Sequence, residues 1–213
     1  GAGPLDDPLA IARSRFNQAV AARLRGKAKG GKSFVVCCYH MPCLFRTATD
    51  RQVMVVHASL YAQWARRLAR AGSKGSNARP LPQVLLGDFN VVPGSPSYDL
   101  LTGKGLSAEH PEYPPVGPPG DRSSAAQWRP ELDTPLASAY AEAGGEPAFT
   151  NNAWVGEGPA FRETLDYIFL SQGDFTVRGV RPVPGPEIVP ESEFWPSAGQ
   201  PSDHALIAAD LEL

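Results

Sequence analysis

The longest regular alternation of apolar and polar positions runs from Asp50 to Ala71. Val53, Val56, Leu60, Trp64 and Leu68 recur there at helical spacing and predict a long helix with one apolar stripe. Thr49 followed by Gln52 resembles a capping box at its start. Arg66, Arg67 and Arg70 fall in its last turns, where cations complement the helix dipole, and Gly72 suits its end. Short apolar, β-branched runs predict buried strands at 34–40 (FVVCCYH) and Val84–Leu86. Further strands are predicted at Leu165–Leu170, Phe175–Val183 and Ala205–Leu213. The segment Pro8–Arg25 allows two readings: an Ala-rich helix by propensity, or the first arm of a hairpin from about Asn17 to His40 that turns at KAKGG. The hairpin is the favoured one. Ser97–Leu101 predicts a short helix after the PGSPS turn, and 103–135, rich in Gly and Pro, an irregular surface loop rather than a linker between domains. No internal repeat is found. The order strand, helix, strand, then several strands predicts an α/β layered domain.

Composition adds bounds to this picture. The chain has 213 residues, 42% of them apolar, which suits one domain, 1–213, with a substantial core. No apolar run reaches the length of a bilayer-spanning helix, and Gly1–Pro8 lacks the basic and apolar regions of a secretory signal. A formal charge of −2 argues against coating nucleic acid by bulk positive charge. It leaves room for a nuclease whose metal ions attract phosphate locally. Cys37, Cys38 and Cys43 are odd in number and tightly clustered, so reduced thiols and an intracellular setting are expected.

One motif is set aside. Residues 26–33, GKAKGGKS, fit the phosphate-loop pattern letter for letter, but that loop must open a helix. Here a predicted strand follows, so the segment reads as a basic turn. The chemistry is expected elsewhere. Asp88 and Asn90 close an apolar strand two residues apart and share a face if the extended geometry continues. Asp88 can bind a divalent metal or take a proton from water, and Asn90 can donate to a phosphoryl oxygen. Asp166 is an acid inside an apolar strand and needs a partner, for which His40, at another strand end, is the candidate. Asp203 and His204 precede the last predicted strand and suit a metal- or water-orienting carboxylate beside a phosphate-contacting imidazole. His57, beside the helix stripe, reads as structural, His110 as solvated, and the arginine run as an ordinary helix face.

GDFN at 87–90, LDYIF at 165–169 and PSDH at 201–204, in that order, resemble the endonuclease/exonuclease/phosphatase superfamily. YHM at 39–41 looks like its histidine-bearing strand end. EPAFTN at 146–151, FRETLDYIF at 161–169 and PSDHALIAADLEL at 201–213 look most like the deadenylase-related branch that includes nocturnin and the Angel proteins. The resemblance covers about Phe34 to Leu213. It implies a four-layered α/β/β/α sandwich and hydrolysis of a phosphoester, RNA or nucleotide foremost, by in-line water attack. It implies Mg²⁺, with Mn²⁺ able to substitute, at Asp88 and Asp203. By the same resemblance His40 and His204 would contact the phosphate, Asp166 would orient His40, and Asn151 and Phe161 would lie near a nucleotide base. The family also begins with a strand carrying an Asn and another ending in a metal-binding Glu. Neither is matched before His40, and Glu109, Glu131 and Glu163 lie on the wrong side of the motif order. The expectation is therefore an N-terminally incomplete domain with an exposed sheet edge open to association. The alternative is a non-catalytic module that binds a nucleotide or a protein.

Overall fold

The computed structural model describes residues 7–73, 78–115, 128–156 and 160–213. Its elements in chain order are α1 (Pro8–Arg13), β1 (Ala19–Arg25), β2 (Ser33–Tyr39), α2 (Ala48–Ala71), β3 (Gln83–Asp88) and α3 (Pro96–Thr102). Then come β4 (Leu136–Ser138), α4 (Ala139–Glu142), β5 (Asn151–Ala153), β6 (Phe161–Glu163), β7 (Asp166–Ser171), β8 (Thr176–Val180) and β9 (Ala209–Glu212). Both readings of the N-terminal segment hold in part: six residues are helical, and β1 and β2 then form the expected antiparallel hairpin. The GKAKGGKS segment is its turn, closed by the Gly26 N–H on the Lys32 carbonyl at 3.0 Å, and no helix follows it.

β2 and β3 are parallel, and a parallel pair needs a crossover, which α2 supplies. The five-stranded sheet has the order β1-β2-β3-β7-β4, with β7 antiparallel to β3 and β4. On one face α2 packs through Met54, Ala58, Tyr61, Ala62, Ala65 and Ala69 against Cys37, Tyr39, Leu85, Phe89 and Phe169. The alanines let the helix lie close, and the aromatic side chains fill the space between. Leu60, expected in the stripe, is 42% exposed, because the buried face is rotated toward the alanines and Val53 and Val56 turn to α1 instead. The capping box is also two residues earlier than expected. Thr47 caps the helix and Asp50 reciprocates, its Oδ2 accepting from the Arg46 and Thr47 N–H groups.

The other face of the sheet buries Val84, Ile168 and Leu170 beneath Val177, Val180, Ala209 and Leu211 of the β8–β9 pair, so two sheets stack with helices outside the first. α4 covers the same cluster through Ala139 and Tyr140, whose hydroxyl donates to the Arg181 carbonyl at 2.7 Å. The strand predicted at Ala205–Leu213 is regular only over Ala209–Glu212. The described parts of the 103–135 stretch are turns and irregular backbone, while 116–127 lie outside the described residues. Among the described residues no helix is long and apolar enough to cross a membrane. The three cysteines are free, Cys37 buried and Cys38 exposed on opposite faces of β2. His57 is held by the Tyr39 hydroxyl at 2.8 Å, as its structural reading requires.

Candidate active site

The strand ends that carry His40, Asp88 and Asp166 meet at one end of the five-stranded sheet. Asp88 and Asp166 are direct register partners where β3 ends and β7 begins. β2, parallel to β3, delivers His40 beside them. The close spacing of β2 and β3 here depends on Gly87, whose φ is +133° and where a Cβ would fall 2.1 Å from the Tyr39 carbonyl oxygen. His204 comes from the other direction. It forms an isolated bridge with Asn151, and the Ala205 N–H donates to the Thr150 carbonyl at 2.7 Å.

The side chains form a chain of charge. His40 Nε2 lies 3.4 Å and His204 Nε2 3.8 Å from the same oxygen, Asp88 Oδ2. The other ring nitrogen of His204, Nδ1, is 2.7 Å from Asp166 Oδ2. Asp166 therefore orients His204, not His40 as the sequence suggested. The register of β3 and β7 places Asp166 on the far side of Asp88 from β2. The His40 side chain is 73% exposed, facing solvent at the rim.

Asn90 also departs from expectation. Its φ is +51°, so the extended geometry stops at Phe89 and the two side chains do not share a strand face. The chain instead folds back: the Asn90 N–H donates to Asp88 Oδ1 at 2.8 Å, and its amide donates to the Met41 carbonyl at 3.0 Å and to Asp88 Oδ2 at 3.3 Å. Asn90 thus grips Asp88 and ties it to the segment after β2, with both amide hydrogens spent.

Thr150 was not anticipated. It is fully buried; its hydroxyl donates to Asp166 Oδ2 at 2.7 Å and accepts from the Leu165 and Asp166 N–H groups. A neutral residue ahead of a three-residue strand gives neither charge nor periodicity to notice. Gln200 was missed for a similar reason. Its amide donates to the His204 carbonyl at 2.7 Å and fixes the loop that presents the imidazole. Asn151, 4% exposed, donates to the Asp203 carbonyl at 3.3 Å, so it braces the 203–204 segment, while Phe161 on β6 is 36% exposed. Arg162 stacks over Phe149 at 5.0 Å and donates to Asn152 Oδ1 and to the carbonyls of Val189, Pro190 and Glu193, pinning the loop beyond β5.

These contacts bias two protonation states. Burial raises the Asp88 pKa above the ordinary carboxylate value, with the Asp166 charge adding to it and the Asn90 N–H opposing. The hydrogen bond to Asp166 raises His204 above the ordinary imidazole value, against its desolvation. The site therefore joins a carboxylate held back from full acidity to an imidazole held toward its cation. Among the described residues no three His, Cys, Asp or Glu side chains converge to hold a metal ion. Asp88 is a hard oxygen donor, which fits an ion such as Mg²⁺ that takes one or two carboxylates and completes its shell with water and substrate oxygens. It does not amount to a closed protein cage.

Comparison with known proteins places the chain in a family and a fold. Residues 4–204 match the endonuclease/exonuclease/phosphatase family. The chain is 35% identical over 139 residues to Carbon catabolite repressor protein 4 homolog 4 of Arabidopsis thaliana, covering 62% of this chain and 27% of that protein. It is 29% identical over 188 residues to the CCR4-Not complex 3'-5'-exoribonuclease subunit Ccr4 of Emericella nidulans, covering 80% and 26%. The chain thus spans about a quarter of the length of these relatives. Among solved structures it superposes on ANGEL2, a 2',3'-cyclic phosphatase in complex with adenosine-2',3'-vanadate, with TM-score 0.65 at 18% identity, over 94% of this chain and 62% of that one. The likeness to ANGEL2 establishes the mixed α/β fold with packed sheets. The family match extends over nearly the whole chain: this protein belongs to the endonuclease/exonuclease/phosphatase family.

Proposed function

We propose that this chain is the part of a phosphodiester hydrolase that holds its acid–base groups, acting on RNA or a nucleotide by in-line attack of water. The observation that carries the reading is the placement of Asp88 between two imidazoles, one exposed and one anchored by Asp166. Asp88, raised by burial, orients the attacking water and takes its proton. His204, held toward its cation by Asp166, donates to a non-bridging phosphoryl oxygen as charge builds there. His40, at the solvent rim, meets the same phosphate from the β2 side. Asn90, Asp166 and Thr150 are positioning residues, because each acts through Asp88 or His204. A divalent ion, Mg²⁺ with Mn²⁺ as substitute, would be held by Asp88, with Asp203 the second candidate, and would neutralise phosphate charge. The relatives' names support a nucleic-acid or nucleotide substrate: one is an exoribonuclease subunit and another a cyclic phosphatase with an adenosine ligand. Asn151, bridged to His204, and Phe161, at the other end of the β5–β6 pair, are assigned to the base.

The test is Mg²⁺-dependent cleavage of a short poly(A) RNA and a nucleotide panel by the full-length natural protein, beside its Asp88→Ala variant. Cleavage that falls at least about 100-fold in the variant is expected. Equal rates in both, or no hydrolysis of any phosphoester offered, would overturn the reading. A second reading is a nucleotide-binding module without catalysis. Calorimetric binding of AMP in EDTA, with hydrolysis absent, would select it.

A further inference from the structure

Asn17 lies between α1 and β1, two residues ahead of the β1–β2 ladder, which begins with Ala19 opposite Tyr39. His40 follows the last residue of β2 on the other side of that opening. The Asn17 side-chain amide donates to the His40 carbonyl at 2.9 Å. Backbone groups alternate sides along a strand. The Val35 and Met41 N–H groups point to the β3 side, donating to the Pro82 and Asp88 carbonyls at 2.8 and 2.9 Å. The His40 carbonyl therefore faces the β1 side, where the next rung of the hairpin would stand, and the Asn17 amide takes that rung's place. From the β3 side Asn90 donates to the Met41 carbonyl at 3.0 Å. Two asparagine amides thus hold one short segment from opposite flanks. Asn17 is anchored in turn by α1, whose Ala12 packs with Val53 and Val56 of α2 and whose end is closed by the Ser14 hydroxyl on the Ile11 carbonyl at 2.8 Å.

This clamp bears on the one acid–base group that packing does not fix. The His40 side chain is 73% exposed, and its ring meets Asp88 Oδ2 at 3.4 Å, long for a hydrogen bond. Where the imidazole stands is set by the backbone that carries it. A displacement of about 1 Å is enough to cost a reaction much of its rate. We propose that Asn17 is a positioning residue for His40: its amide fixes the His40 carbonyl and so keeps the imidazole beside Asp88 and the phosphate. The proposal rests on the acid–base reading of His40 above, and it makes the segment ahead of β1 a working part of the site.

The test uses the full-length natural protein, isotope-labelled, beside Asn17→Ala, Asn17→Asp and Arg25→Ala. Asn17→Asp keeps the shape and removes the donor. Arg25 closes the far end of the same hairpin, its Nε donating to the Gly31 carbonyl at 3.1 Å, so its loss loosens β1 and β2 away from the rim. Both Asn17 variants are expected to shift the His40 ring protons in NMR spectra and to lower kcat/KM on poly(A) RNA by about tenfold or more, and Arg25→Ala to do neither. In a His40→Ala background Asn17→Ala should cost nothing further, because both act through one imidazole. Unmoved ring protons, an additive loss in the double variant, full activity of Asn17→Asp or an equal effect of Arg25→Ala would each overturn the proposal. Shifted ring protons in a protein that hydrolyses no phosphoester would uphold the clamp on His40 and remove the acid–base reading instead.

Discussion

His204 and His57 are the two imidazoles whose surroundings push their pKa values in opposite directions, and each gives a pH signature. For His204 the folded pKa is raised, first by its hydrogen bond to Asp166. Its contribution to stability is therefore complete below the ordinary imidazole value and is lost as pH rises through the raised one. Asp166→Asn should return the His204 titration, followed by ring-proton NMR, toward the ordinary value and move the basic limb of the pH–rate profile down with it. An unshifted titration would remove Asp166 from its positioning role. For His57 burial lowers the pKa to about 4. The neutral ring is what folds, so stability falls as pH drops from the ordinary imidazole range toward 4. His57→Gln should flatten the decline of Tm over that interval, and a decline as steep as in the unaltered chain would contradict the assignment. At this scale the sequence was informative about which groups meet. A charge at the end of an apolar run stands out, and Asp88, Asp166 and His204 converge with His40 as their positions suggested. Partners were less legible. Whether Asp166 meets His40 or His204 depends on sheet order, and Thr150 is invisible until the β5 edge is folded over it.

Among the elements, α2 was found from its periodicity, but the face it buries was not. Aliphatic residues mark a stripe, whereas the surface that meets the sheet is built on Ala58, Ala62, Ala65 and Ala69, small residues that a hydrophobic count passes over. The cap differs by two residues because Asp50 can close a box as Glu or Gln would. Thr47→Ala should cost about 1 kcal/mol in urea unfolding, and Thr49→Ala much less. Equal costs would return the cap to Thr49. Gly87 has no such alternative. Any Cβ there meets the Tyr39 backbone, so Gly87→Ala should destabilise by about 2 kcal/mol or more and separate His40 from Asp88. A variant with unchanged stability and activity would show that the β2–β3 spacing yields more readily than this geometry allows.

For the molecule as a whole, the exposed edge expected from the family resemblance is β1. It lies at one end of the sheet order, its outer side has no strand paired to it among the described residues, and Val20 and Leu24 are 65% and 45% exposed. Such an edge recruits other chains. The chain should associate with rising concentration in light-scattering measurements, and Val20→Lys should suppress this. Association that the lysine does not alter would place the contact elsewhere. The pairing of Asp88 with Asp166 has a different kind of consequence. Two strands far apart in the chain bring these acids together through register alone, and a slip of one residue would turn Asp166 to the opposite face. Length can therefore be added to surface turns between residues 89 and 165 with little effect on the acids, while a single residue inserted within β3 or β7 abolishes their meeting. Variation is channelled into the segment between the two acids, so the surroundings of the site can change while Asp88 and Asp166 keep their geometry.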